Sequence, residues 1–146
     1  MSGLIRRLPI LLCTLLMGAP QCMASDDNWT VVTLARDGSW GVACRSTQAQ
    51  AIAEAIRSCR AMAGPSSDCG AQFAATRGGW TVVNLCGDHK VIATGSSLVD
   101  AEKQALIREV DLQLFYVADL PLCRRVVTVD PSGTIVANNR QFSAAP

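Results

Sequence analysis

The chain has 146 residues, 49% of them hydrophobic, and its 13 lysines and arginines nearly balance its 12 aspartates and glutamates. A formal net charge of +1 provides no electrostatic footprint for nucleic acid or for an anionic membrane surface, so neither is predicted as a partner. The length fits one domain with a core of modest size.

The first 24 residues predict a secretory signal peptide. Arg6 and Arg7 form a positive region, residues 8–17 are apolar, and small residues lead to a cleavage position after Ala24. The apolar run is too short for a membrane-spanning helix, which needs roughly 20 residues. Removing 24 of the 146 residues leaves a mature domain, residues 25–146, of 122 residues with 11 basic and 12 acidic side chains. We therefore expect a periplasmic or secreted protein without a stable membrane span.

The first half of the mature domain predicts two strands, a helix and a third strand. Residues 29–35 alternate in polarity and are rich in β-branched side chains, which favours a strand. An Asp-Gly pair at 37–38 predicts a tight turn, and residues 40–44 return as the second strand. Thr47 is a good N-cap for a helix. One face of this helix is predicted to be apolar and to carry Ile52, Ala55, Ile56 and Cys59.

The second half predicts the same order of elements. A third strand over 69–75 is expected to turn at Arg77-Gly78 into a fourth strand over 80–86, which would place Cys69 opposite Cys86. After a turn at 87–89, residues 90–94 form the next strand, and Ser97 caps a second helix. Its inner side is predicted to carry Ala101, Ala105, Leu106 and Leu112. Strands are expected over 123–129 and 134–137, with a frayed tail over 138–146.

The two halves match as an internal repeat. Residues 29–37 align with residues 80–88, and the helix caps and helix alanines align in the same order. A unit of this size buries its apolar face poorly by itself, so two units should pack as one domain. We predict an α+β fold, a mostly antiparallel sheet with two helices on one side. It is built from two pseudo-repeated ββαβ units, residues 29–76 and 80–137.

Five cysteines remain in the predicted mature domain, and in an exported protein they are disulfide candidates: Cys44, Cys59, Cys69, Cys86 and Cys123. An odd number leaves one thiol free or bonded to another chain. Cys59 is expected to bridge to Cys69 or to Cys86, and a cross-strand bridge between Cys69 and Cys86 is the alternative. Glu109 occupies the position of Cys59 in the second unit, so Cys123 would pair with Cys44 or stay free.

These residues carry a resemblance to a known family. The helix pattern Ala51, Ala55, Ile56 and Cys59 is followed by Asp68-Cys69 and by a strand pair that ends in Cys86. Over residues 29–129 this resembles the bacterial secreted family named domain of unknown function 4189. The resemblance implies export, disulfides and a small α+β domain, and it implies no activity.

No set of catalytic, cofactor-binding or metal-binding residues is apparent in the sequence. The only histidine, His89, follows Asp88 in a predicted hairpin turn, where we expect it to be solvated. There is no motif for a nucleophile, a metal or a phosphate. We therefore predict no cofactor and no metal, and we favour a protein that is not an enzyme.

Three tryptophans supply most of the aromatic surface: Trp29, Trp40 and Trp80. We expect core packing for them, and a possible contact surface if one lies on an outer sheet face. Strands such as 30–32 and 81–83 are apolar on both faces, whereas two helices can cover only one. The second face would then be closed by packing of the two units, by a homodimer or by a partner protein.

Three functions are compatible with these features. The first is a non-catalytic binding or inhibitor-type module of the cell envelope, with an unknown protein or envelope component as its partner. It predicts a contiguous exposed apolar patch. The second is a small hydrolase acting on cell-wall material, which predicts a cleft where His89 or acidic residues converge. The third is a redox role for an unpaired cysteine. Features specific to function are expected where the units differ: residues 36–40 against 87–90, Cys59 against Glu109, and the odd cysteine.

Overall fold

A computed structural model describes residues 27–138. The predicted signal peptide and residues 139–146 of the predicted tail lie outside this range. The described chain forms seven strands and two helices, in the order β1 (Trp29–Leu34), β2 (Trp40–Arg45), α1 (Gln48–Ala63), β3 (Gln72–Arg77), β4 (Trp80–Cys86), β5 (His89–Gly95), α2 (Leu98–Phe115), β6 (Cys123–Val129) and β7 (Ile135–Asn138). Within residues 27–138, neither helix has the length and hydrophobicity to cross a membrane.

The predicted α+β class with antiparallel strands and two helices is confirmed, but the strands form two sheets. One sheet has the order β2-β1-β3 and the other the order β5-β4-β6-β7. The predicted hairpin between the third and fourth strands is wrong, because β3 pairs with β1 and places Arg77 opposite Trp29. Gly78 has a φ of 56°, and the two glycines at 78–79 carry the chain from one sheet to the other. In both units the first strand lies between the second and the third strand of the unit. The origin of the two units by duplication stays a prediction.

The two sheets pack face to face, and each carries one helix on its outer side. Val31 packs with helix α1, whereas its neighbour Val32 belongs to a core between the sheets. Val82 and Val83 are divided in the same way between α2 and the inner core. The helices consequently lie on opposite sides of a four-layer α-β-β-α arrangement, not on one side of a single sheet. Packing of the two units closes the second apolar face of each sheet.

Small residues let the helices approach the sheets closely. Ala51, Ala55, Ala101 and Ala105 are all buried. A Cβ atom at Gly41 would lie 2.1 Å from the carbonyl oxygen of Ala55, so this strand position leaves no room for a side chain. The predicted position of Leu106 on the inner side of α2 is wrong, since this residue is 61% exposed.

Both predicted helix caps are present. The hydroxyl of Thr47 accepts a hydrogen bond from the backbone N–H of Gln50 at 3.4 Å. The hydroxyl of Ser97 accepts one from the backbone N–H of Asp100 at 3.1 Å. These bonds satisfy N–H groups that the first helical turn leaves without a partner.

Two disulfides connect elements within the two units. Cys59 bonds Cys69, which was one of the expected alternatives and joins α1 to the segment before β3. Cys86 bonds Cys123, its direct neighbour across β4 and β6, with a Cα–Cα distance of 4.0 Å. The expectation that Cys123 pairs with Cys44 or stays free is therefore wrong, as is the expected position of Cys69 opposite Cys86. Cys44 is disulfide-bonded as well, so all five cysteines of the described range are oxidised.

Candidate functional site

The three tryptophans are half-buried and lie in different parts of the molecule. Trp40 packs against the core between the sheets, and Trp80 packs against the cluster under α2. Trp29 packs against the cluster under α1, with the guanidinium of Arg77 4.9 Å from its ring centre. The structure does not bring these residues together as one exposed surface.

The apolar surface lies instead on the side of α2 that faces away from the sheet. Inward-facing Ala101 and Ala105 are buried, and the opposite side of the helix exposes five large apolar side chains. We call these five residues the α2 outer face: Val99, Leu106, Ile107, Val110 and Leu114, with exposures of 75%, 61%, 44%, 44% and 70%. Three further large side chains are exposed at the end of the helix and after it: Phe115, Tyr116 and Leu122.

Helix α1 provides an internal comparison for this surface. When the two units are aligned, Arg57 takes the place of Ile107, Arg60 that of Val110, and Ala49 that of Val99. All three α1 residues are exposed, so α1 carries basic or small side chains at these positions, whereas Ile56, which takes the place of Leu106, is apolar and partly buried. Because the same fold carries a polar outer side on one helix and an apolar one on the other, the fold itself does not require the α2 outer face.

A shallow groove runs beside the α2 outer face. It has a volume of about 190 Å³ and lies between α2 and the segment that leads into β6. Its lining is formed mainly by apolar residues, among them Leu106, Val110, Leu120, Pro121 and Leu122. The groove would accept an apolar side chain from a partner that covers the helix.

A polar network fixes α2 to its sheet at the position where α1 has its disulfide. Glu109, the counterpart of Cys59, accepts a hydrogen bond from the side-chain amide of Asn84. The amide oxygen of Asn84 accepts one from Nε of Arg125 at 2.8 Å, and the Arg125 guanidinium contacts Glu102 at 3.2 Å. In the second unit, charge-assisted hydrogen bonds therefore connect helix and sheet at the position where α1 carries a disulfide-bonded cysteine.

The two hairpin turns that differ between the units line a common cleft of about 570 Å³. Arg36 comes from the β1–β2 turn, Asp88 comes from the β4–β5 turn, and His89 and Lys90 are the first two residues of β5. Gly87, with a φ of 61°, begins this two-residue turn and allows its tight geometry. The two turns at which the sequences of the units differ thus lie beside each other in the fold.

The cleft is lined by His89 and by one acidic residue, its chain neighbour Asp88. Arg36 contacts Asp68 on a neighbouring loop at 3.4 Å. Within residues 27–138, His89 and Lys90 have no side-chain hydrogen bond or ion pair. A general base needs a hydrogen bond, direct or through one water, to the group that it activates. The hydrolase function stays a hypothesis.

One group of potential metal ligands occurs in the described range. Ligand atoms of Cys86, Glu109 and Cys123 lie within 4.8 Å of one another. The two sulfur atoms are joined in a disulfide, whereas a cysteine binds a metal as a thiolate. We assign no metal to this group.

Sequence reasoning missed the α2 outer face, although its signal is present in the sequence. Val99, Leu106, Val110 and Leu114 recur at helical spacing, but spacing alone does not show that this side of the helix faces away from the sheet. In comparisons with protein-family models, curated proteins and solved structures, no match was found. The resemblance to domain of unknown function 4189 therefore stays an expectation.

Proposed function

We propose that this protein is an exported, non-catalytic binding module of the cell envelope whose contact surface is the α2 outer face. The main support for this proposal is the row of exposed apolar side chains on the side of α2 that is turned away from the core. Two disulfides support export, because such bonds persist in oxidising compartments.

Contact with a partner protein would remove the apolar side chains of the α2 outer face from water. Large apolar side chains that remain in water are common singly, but a contiguous row of them marks an interaction surface. Full burial of one Val, Leu or Phe side chain contributes roughly 1.5–3 kcal/mol. Covering the α2 outer face would thus contribute several kcal/mol, from which the entropy cost of association is subtracted.

The α1 comparison indicates that this surface has a specific role. Arg57 and Arg60 occupy the matching positions on α1 and keep that helix compatible with solvent. A protein that needed only two amphipathic helices to cover its sheets would have no use for Ile107 and Val110 on the exposed side.

Site-specific photo-cross-linking in the producing cell tests the proposal. A photoreactive amino acid replaces Leu106 or Val110 in the full chain, and Arg57 or Arg60 in matched controls. We expect covalent adducts of defined mass at the two α2 positions and none at the two α1 positions. Equal labelling of both helices, or no adduct at either, would show that the α2 outer face is not a binding surface.

A further inference from the structure

We propose that the α2 outer face binds a second copy of this chain, helix against antiparallel helix. This inference rests on the proposed contact surface and names its partner. Two observations support it: the spacing of the residues on the face, and the charged side chains of Lys103 and Asp111 among and beside them.

The residues along the centre of the face have the spacing of a helix-pairing seam. Val99, Lys103, Leu106 and Val110 follow one another in steps of four, three and four residues. Apolar residues at such alternating steps interlock with a second helix as knobs into holes. Helix α2 has 18 residues, which corresponds to about 27 Å at 1.5 Å per residue. Helix α2 is already stabilised by packing on its own sheet, so pairing does not have to offset the entropy cost of forming the helix.

Lys103 decides the relative direction of the two helices. It is exposed and lies in the middle of the otherwise apolar seam. Parallel pairing in register would place the two Lys103 ammonium groups against each other. Antiparallel pairing centred between Leu106 and Ile107 places Lys103 opposite Val110 and beside Asp111 of the second copy. Opposite charges then meet twice across the two-fold axis, as an isologous interface requires.

Both charged residues are available for this contact. Asp111 is exposed like Lys103, and neither side chain forms a hydrogen bond or ion pair within residues 27–138. The same register places Val99 opposite Leu114 and brings the Leu106 and Ile107 pairs together at the axis. Four of the five residues of the α2 outer face consequently lie opposite an apolar residue, and Val110 lies opposite Lys103.

Sedimentation velocity of the oxidised, exported protein tests the proposal over micromolar to millimolar concentrations. We expect a dimer that dissociates on dilution and that Leu106→Glu converts to a monomer. Lys103→Asp and Asp111→Lys should each weaken the dimer about tenfold, since each change creates like-charge contacts on both sides of the two-fold axis. The double variant restores opposite charges and should recover most of the affinity. Arg57→Glu on α1 is the control and should leave the dimer unchanged.

The possible outcomes separate this inference from the proposed function. Failure of the double charge exchange to rescue a dimer weakened by both single changes would overturn the antiparallel register. A wild-type chain that stays monomeric, while its α2 positions cross-link to a different protein, would overturn the second copy as partner and retain the contact surface. A monomer without any α2 adduct would overturn both.

Discussion

Removing the Cys59–Cys69 or the Cys86–Cys123 disulfide should lower the stability of the protein by an amount that follows the length of the loop that the bond closes. The Cys59–Cys69 bridge has a sequence separation of 10, and the Cys86–Cys123 bridge one of 37. Loop closure restricts the unfolded chain more when the loop is longer. The chain-entropy relation gives about 2.7 kcal/mol for the shorter loop and about 3.8 kcal/mol for the longer one. The longer loop contains β5 and all of α2.

The comparison uses two double variants, Cys59→Ala with Cys69→Ala and Cys86→Ala with Cys123→Ala, so that neither leaves a partner thiol behind. Equilibrium unfolding in urea should give the lower midpoint for the variant that lacks the Cys86–Cys123 bridge, by about 1 kcal/mol in the free energy of unfolding. Losses of this size are a large fraction of the roughly 5–15 kcal/mol that stabilises a domain. Equal losses, or the reverse order, would refute the loop-length argument and show that packing around the sulfur atoms decides the stability.

Two further substitutions test the contacts between helix and sheet. Asn84→Ala removes the amide between Glu109 and Arg125, so two charged groups lose a hydrogen bond in a half-buried site. The free energy of unfolding should fall by about 1–3 kcal/mol. A decrease of less than about half a kcal/mol, measured by thermal unfolding, would contradict a stabilising role of the network. Gly41→Ala places a methyl group against the carbonyl of Ala55, so α1 must move and about 1–3 kcal/mol should be lost; unchanged stability in urea would show that the helix shifts without cost.

Local features of the fold could be predicted from the sequence because their causes are local. The turn at Gly38 and the caps at Thr47 and Ser97 depend on residues only a few positions apart, and the structure contains all three. The antiparallel β1–β2 and β4–β5 hairpins follow from the same short-range signals. The cleft between the two turns was indicated only indirectly, by the divergence of residues 36–40 from residues 87–90.

Long-range pairing was decided by the tertiary structure. The sequence allowed β3 to continue into a hairpin with β4, since Arg77-Gly78 fits a turn, but β3 pairs with β1 in the other sheet. That choice separates Cys69 from Cys86 and leaves Cys86 beside Cys123 on β6. Cysteine spacing carries no information about which strand becomes a neighbour, so the connectivity could not be read from the chain.

The sequence by itself determined two antiparallel ββαβ units with capped helices and strands that are apolar on both faces, because these properties depend on residue type and short spacing. Only the tertiary structure decided how the second face of each strand is covered. The two sheets bury it against each other, which places one helix on each outer side and turns the apolar side of α2 toward solvent. Helix α2 carries apolar side chains on two opposite sides, and only its location in the fold shows which side is buried against the sheet and which is exposed.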